Sequence, residues 1–149
     1  MNYRRRIVLL LLLCLAIYAQ AKDTAVIAGK DTSANSLHSA DIAKAIRGSS
    51  HKMANGKAVI IVLKAAQTAE TRIFGEKCLG ENEKELAALL SSEHTIFRIV
   101  DSDQEVIKAV NAIPGSIGLV DVYSINSSVT VLKIDNKSPL EPGYLLHGN

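Results

Sequence analysis

Cysteine is scarce in this chain of 149 residues, which contains only Cys14 and Cys78. Cys14 lies inside a long apolar run near the N-terminus, so Cys78 is alone in the rest of the chain. A single cysteine cannot form an internal disulfide, which excludes a small disulfide-stapled scaffold. Because the neighbours of Cys78 are apolar, we expect this thiol to pack in the core rather than to react.

Signatures of catalysis and of metal binding are also missing from the sequence. The four histidines do not pair with one another or with Cys78 at zinc-ligand spacing, so we expect no metal site. No nucleophile-elbow, Walker A or dinucleotide-binding sequence is present. The acidic residues of the 81–93 region lie where helix caps and a solvated helix face would place them, and they suggest no catalytic pair. We therefore expect no catalytic residues, no enzymatic activity and no cofactor.

The first 21 residues have the three parts of a secretory signal peptide. Three arginines follow the start, residues 7–19 are almost wholly apolar, and residues 19–21 read Ala-Gln-Ala, a small-residue cleavage site. An uncleaved membrane anchor is the alternative, but a bilayer core needs a longer apolar run, of about 20 residues. We expect cleavage after residue 21 and a periplasmic or secreted protein that begins at Lys22.

Removal of the signal peptide changes the charge of the protein. The whole chain has 17 basic and 15 acidic side chains, and the three arginines leave with the signal, so the net charge falls from +2 to −1. The mature chain has no basic footprint, and we expect no nucleic-acid partner. Residues 22–149 are long enough to form one domain with its own core.

The stretch from residue 101 to residue 120 predicts a helix, a stop and a strand. Ser102 and Glu105 form a capping box that opens the helix, and its apolar stripe runs to Ile113. Pro114 and the glycine after it end the helix, and the apolar run that follows suits a buried strand, with Gly118 allowing close backbone approach. We expect Val110, Ile113 and Ile117 to pack against the central strand around Ile60.

Strand and helix patterns alternate through the rest of residues 22–149. Strand patterns cover 24–29, 58–63 and 129–134, and residues 95–100 suit either a strand or an extended lead-in to the next helix. The candidate helix starts are Ser39, Thr68 and Asn82. The 58–63 run is apolar on both faces and is typical of an internal strand. The tail from residue 135 onward suits an extended segment laid over the domain. Strands alternating with helices predict an α/β fold with a mostly parallel sheet and helices on both faces.

The junction at residues 64–72 is the best candidate for an anion site. A helix start presents free amides and partial positive charge, Lys64 and Arg72 add formal charge, and Thr68 adds a hydroxyl. An ordinary capped helix with solvated cations is the alternative, and such helices are common. Thr32 and Ser33, in the loop after the first strand, offer hydroxyls that we expect to face this junction, although a plain polar turn is again the alternative.

Residues 110–120 resemble a signature of the phosphate-binding periplasmic proteins of ABC transporters. That signature is V-x-x-x-P-G-[SA]-I-G-Y-V, and this chain has Leu119 at the tyrosine position. Segments 39–48, 55–62, 71–74 and 134–144 resemble further family segments in the same order, although the usual tryptophan is missing. The resemblance implies a single lobe of a periplasmic-binding-protein (type II) like fold, phosphate or a similar oxyanion as ligand, and a membrane transporter or an envelope protein as partner.

The chain departs from this family at the family's ligand-binding junction. The family carries R-x-D-x-S-G-T, and an ungapped alignment puts Lys64 and Thr68 at the cation and hydroxyl positions but Ala69 and Glu70 at the glycine and threonine positions. A carboxylate there would repel a dianion. The resemblance thus implies an exported module that binds an oxyanion weakly. The alternative is an envelope interaction or scaffold protein that keeps the fold and binds no small ligand.

Overall fold

A computed structural model describes residues 22–148, so the predicted signal peptide lies outside the described residues. The strands are β1 (Thr24–Gly29), β2 (Ser36–Leu37), β3 (Ile61–Leu63), β4 (Phe97–Ile99), β5 (Ile117–Asp121) and β6 (Val129–Ile134). The α-helices are α1 (Ser39–Arg47), α2 (Ala69–Phe74), α3 (Glu83–Ser92) and α4 (Asp103–Ala112). A π-helical turn (Gly75–Leu79) continues α2, and a 3-10 turn (Val122–Ser124) follows β5. None of the helices between residues 22 and 148 has the length and apolarity needed to cross a membrane.

The strands form one sheet in the order β2-β6-β1-β5-β3-β4. Strand β1 is antiparallel to both of its neighbours, β5 and β6, while the other pairings are parallel. Five of the six strands therefore point the same way, and β1 alone points the other way. This confirms the prediction of a mostly parallel sheet, and β3 is internal as its apolar run predicts.

The two faces of the sheet carry separate core clusters because successive side chains of a strand point to opposite faces. Val26 and Ala28 of β1 belong to the larger cluster, which α1, α2, α3 and the C-terminal tail cover. Ala25 and Ile27 belong to the smaller cluster, which α4 covers through its buried valines and Ile107. Helices thus lie on both faces, as predicted.

Gly118 lets α4 approach the sheet closely. A β-carbon at this position would lie 2.5 Å from Cγ1 of Val106 and 2.8 Å from Cγ1 of Val110, far inside normal contact distance. The glycine in the middle of the buried strand β5 therefore makes room for the valines of the helix, which confirms the close approach that the sequence predicts.

The prediction for Ile113 was wrong. The helix ends at Ala112, so Ile113 is its C-terminal cap residue, with extended backbone and a half-buried side chain. Val110 and Ile117 each belong to a cluster that includes the central strand β3, as predicted, but the two clusters lie on opposite faces of the sheet. The last buried residue of the helix is therefore Val110, one turn before Ile113, because the residue before Pro114 is disfavoured in helical conformation.

The helix starts show which capping predictions hold. Asn82 and Glu85 form the complete capping box at α3. Ser102 accepts the amide of Glu105 as predicted, while the carboxylate of Glu105 accepts the amide of Asp101. Each start therefore satisfies amides that would otherwise be unpaired at the first turn.

The expected cap of α1 by Ser39 was wrong. His38 is the N-cap residue, and Ser39 is the first residue of the helix. Both the amide and the hydroxyl of Ser39 donate to the carboxylate of Asp135, at 3.0 and 2.7 Å. The cap therefore comes from the residue directly after β6 rather than from the helix's own sequence.

The C-terminal tail lies over the domain, as predicted, and joins the core. Tyr144 and Leu146 are almost completely buried in the larger cluster. The hydroxyl of Tyr144 donates to the carbonyl of Thr24 at 2.8 Å, and the amide of Thr24 donates to the carbonyl of Leu146 at 2.9 Å. The tail is therefore tied to the first residue of β1.

Candidate functional site

Lys64 lies directly after β3, at the carboxyl end of a parallel strand. Its ammonium is 2.6 Å from a carboxylate oxygen of Asp103 and 3.1 Å from a carboxylate oxygen of Glu70. All three side chains are almost buried, with 14% of Lys64 and Glu70 and 11% of Asp103 exposed. Burial acts to lower the pKa of Lys64, but the hydrogen bonds to the two carboxylates outweigh it and raise the pKa. Lys64 is therefore a charged cation that two carboxylates already neutralise.

Thr68 occupies the N-cap position of α2, but its hydroxyl is turned away from the helix amides. The hydroxyl donates to the carbonyl of Ala65 at 2.8 Å and lies 3.1 Å from the hydroxyl of Thr71, which in turn donates to the carbonyl of Lys64. Thr68 makes no side-chain bond to the first-turn amides of α2. Arg72 is exposed one turn further along the helix. The two hydroxyls hold the turn between β3 and α2.

Asp103 is the residue of this network that sequence reasoning missed. It is the first residue of α4, and its second carboxylate oxygen accepts the hydroxyl of Ser124 and the amide of Asp121. A signal for its position existed. Because α4 follows β4, a parallel neighbour of β3, the first residues of α4 must lie at the same edge of the sheet as Lys64.

A second ion pair extends the network along this edge. The ammonium of Lys22 lies 3.0 Å from a carboxylate oxygen of Asp121, the last residue of β5. The carboxylates of Glu70, Asp103 and Asp121 thus outnumber the ammonium groups of Lys22 and Lys64. These five side chains sum to one negative charge, and the exposed Arg72 lies outside their ion pairs.

Thr32 and Ser33 lie at the opposite edge of the sheet, so the expectation that they face Lys64 and Thr68 was wrong. Ala28 pairs with Ile117 at the start of β5, and Ile117 pairs with Ile61 at the start of β3. The loop after β1 therefore lies at the amino ends of β3 and β5, because β1 runs antiparallel to β5. There the two residues line a cavity of about 310 Å³.

Cys78 packs against the larger core cluster, as its apolar neighbours predict. Burial raises the pKa of its thiol to about 11, which leaves little thiolate at neutral pH. Between residues 22 and 148, no three His, Cys, Asp or Glu side chains are placed to hold one metal ion.

Comparison with known proteins finds similarity in structure only. No protein-family model matches the chain, and no curated protein matches its sequence. Among solved structures, an ABC-type phosphate transport receptor from Vibrio cholerae matches with a TM-score of 0.63 and 15% identity, over 80% of this chain and 48% of that one.

Two further structures are similar to the same extent. PstS from Borrelia burgdorferi matches with a TM-score of 0.61 and 17% identity, over 87% of this chain and 55% of that one. A phosphate-binding protein from Stenotrophomonas maltophilia matches with a TM-score of 0.62 and 15% identity, over 80% and 40%. The chain spans about half the length of these proteins. At such identities the likeness shows the fold alone, and the fold is that of a single lobe of a periplasmic binding protein.

Proposed function

We propose that this chain is an exported, single-lobe module of the substrate-binding type that holds phosphate or a similar small oxyanion weakly. The anion would lie at the junction after β3, near Lys64, Thr68 and Arg72, and the module would serve a membrane transporter or another envelope protein. The signal-peptide pattern of residues 1–21 supports export. The fold, which is shared with phosphate-binding proteins, supports a binding role rather than catalysis.

The observation that carries this proposal is the position of Lys64. Its ammonium lies at the carboxyl end of an internal parallel strand and at the start of a helix, the place where ligands bind in open α/β sheets. The first-turn amides of α2 have no bond from the Thr68 side chain, and they carry the partial positive charge of a helix start. A cation and a helix start therefore meet at this point.

The binding should be weak because Lys64 already has two anionic partners. An oxyanion would have to displace Glu70 or Asp103 from the ammonium, and both carboxylates would repel it. We expect a dissociation constant of about 1 mM or higher, which corresponds to a binding free energy no more favourable than roughly −4 kcal/mol.

The same ion pairs favour a second candidate function. With Lys64 fully neutralised, the carboxylates of Glu70 and Asp103 occupy the positions that a bound oxyanion would otherwise take. In this alternative the chain is an envelope interaction or scaffold protein that keeps the fold and binds no small ligand. Fold likeness does not separate the two functions, since one fold serves many sites.

Calorimetric titration with phosphate and sulfate separates the two candidates. The protein from Lys22 onward is suitable, because it contains both core clusters and the whole sheet. We expect weak binding in the wild type, tighter binding in Glu70→Gln, and the tightest in Glu70→Gln/Asp103→Asn, with larger differences at low salt where screening is weaker.

Two control variants make the result specific to the junction. Glu76→Gln removes the same charge from an exposed site on the π-helical turn and should leave binding unchanged. Lys64→Met, made in the Glu70→Gln protein, should abolish the gain. If neither anion binds to any variant at millimolar concentrations, the oxyanion proposal fails and the scaffold function takes its place.

Export has its own test. Mass spectrometry of the protein from envelope fractions should find an N-terminus at Lys22. Intact Met1, or a lipid on Cys14, would contradict cleavage after residue 21.

A further inference from the structure

A second concave site lies at the opposite edge of the sheet from Lys64. Three segments surround a cavity of about 310 Å³: the loop 30–34 after β1, the turn 53–60 before β3, and the turn 114–117 before β5. This volume is at the lower end of the range of small-molecule sites in proteins. The cavity shares no residue with the network around Lys64.

Backbone hydrogen bonds hold the walls of this cavity in place. The turn 53–57 is closed by bonds from Met53 to the carbonyl of Lys57 and from Gly56 to the carbonyl of Met53, both at 2.8 Å. Gly56 has a φ of +79°, which a glycine adopts without strain. On the other side, the side-chain carbonyl of Asn111 accepts the amide of Lys30 at 3.2 Å. The walls are therefore defined by the fold and need no ligand to form.

The lining combines apolar walls with a few charges. Leu37, Met53 and Ile60 are partly buried side chains that face the cavity, with Ile117 and Leu132 of the core beneath them. An apolar body of a few carbon atoms could pack against these walls, while a fully hydrated inorganic ion would gain nothing from them.

The charged groups of the lining are Lys30, Asp31 and Lys57. The ammonium of Lys30 is occupied, because it donates to the carbonyl of Ser127 at 2.6 Å. Over residues 22–148, neither the carboxylate of Asp31 nor the ammonium of Lys57 has an ion-pair or hydrogen-bond partner. Asp31 and Lys57 are exposed residues of the lining, so a ligand in the cavity has one carboxylate and one ammonium without a protein partner beside an apolar wall.

We propose that this cavity binds a small zwitterion with an apolar body, such as an aliphatic amino acid. Lys57 pairs with the ligand carboxylate, Asp31 pairs with the ligand ammonium, and Met53 and Ile60 pack against the aliphatic side chain. A phosphate ion would use only one of these features, because Asp31 repels it and the apolar wall gives it no contact. The proposal is independent of the oxyanion site at the other edge.

Titration with L-leucine, followed by amide chemical shifts in NMR spectra, tests this proposal. We expect saturable shifts confined to the loop 30–34 and the turns at 53–60 and 114–117. Three analogues of leucine are the control ligands. 4-Methylpentanoate lacks the ammonium group, 3-methylbutylamine lacks the carboxylate, and glycine lacks the aliphatic side chain. Each should bind at least about tenfold more weakly, as expected for loss of one charge-assisted bond or of an apolar contact of this size.

Matched variants connect the binding to the two charges. Asp31→Asn and Lys57→Met keep the side-chain shapes and should each weaken leucine binding about tenfold or more. Lys52→Met removes a lysine from the same region outside the lining and should have no effect. The proposal is overturned if leucine causes no saturable shifts, if the shifts map to the Lys64 edge, or if the acid or the amine binds as well as leucine.

Discussion

At the scale of single residues, Gly118 shows how one missing side chain sets the distance between a helix and a sheet. Gly118→Ala places a methyl group 2.5 Å from a methyl of Val106. Overpacking of this kind costs about 1–3 kcal/mol of unfolding free energy. Urea denaturation should show this loss, and Val106→Ala in the same chain should recover part of it. A Gly118→Ala protein as stable as the wild type would mean that α4 does not pack this closely.

Two weakly acidic side chains, the partly buried Cys78 and the buried Tyr144, make the stability of the protein depend on pH in the alkaline range. Burial raises the pKa of Cys78 from its ordinary 9.0 to about 11 and also raises that of Tyr144. Each group stays neutral in the folded chain at a pH where it ionises in the unfolded chain. The stability should therefore be full below about pH 9 and should fall as the pH rises toward 11.

Urea midpoints measured between pH 8 and pH 10.5 test this dependence. In Cys78→Ala, the decrease of the urea midpoint that begins near pH 9 should become smaller. The decrease at higher pH should remain, because it is due to Tyr144. An identical decline in the variant would show that the Cys78 thiol is not shielded from water.

At the scale of elements, α1 depends on a carboxylate that lies 96 residues away from it in the chain. The pKa of Asp135 is lower than its ordinary value, mainly because its carboxylate accepts a hydrogen bond from the hydroxyl of Ser39. A lowered pKa means that the stabilisation is present above about pH 4 and is lost as the pH falls.

Asp135→Asn should therefore cost up to about 1 kcal/mol at neutral pH, because the amide keeps one acceptor oxygen and loses the other acceptor and the charge. Asparagine also tolerates the positive φ of +50° at this position, so backbone strain does not confuse the result. Thermal unfolding measures the loss. Ser39→Ala should cost less alone, and its cost should shrink in the Asp135→Asn protein. Fully additive costs would contradict a shared cap.

At the scale of the whole molecule, the C-terminal tail closes the larger core. Leu146 is 1% exposed, and its carbonyl accepts the amide of Thr24. Leu146→Ala should cost about 2–5 kcal/mol, as for other large-to-small changes in a core. Leu140→Ala, in the same tail but 65% exposed, is the control and should change the stability by less than about 0.5 kcal/mol. Equal effects of the two changes would mean that the tail is not part of the core.

Local sequence determined the elements of this protein. The capping box at Asn82, the stop at Pro114 and the close approach at Gly118 each depend on a few neighbouring residues, and each is present in the structure. The alternation of strands and helices was enough to predict an α/β fold with helices on both faces. These features follow from backbone sterics and side-chain periodicity, which act over one or two turns of chain.

Only the tertiary structure decided how the candidate site is built. The antiparallel direction of β1 separates Thr32 and Ser33 from Lys64, and the sequence pattern of a strand is the same in either direction. Asp103 reaches Lys64, and Asp135 reaches Ser39, only because the sheet brings distant segments together. Local patterns alone do not define such pairs, since each pair is a contact between residues far apart in the chain and depends on which strands are neighbours in the sheet. The neutralisation of the charged Lys64 by two carboxylates is therefore a property of the fold and not of the motif in which the lysine lies.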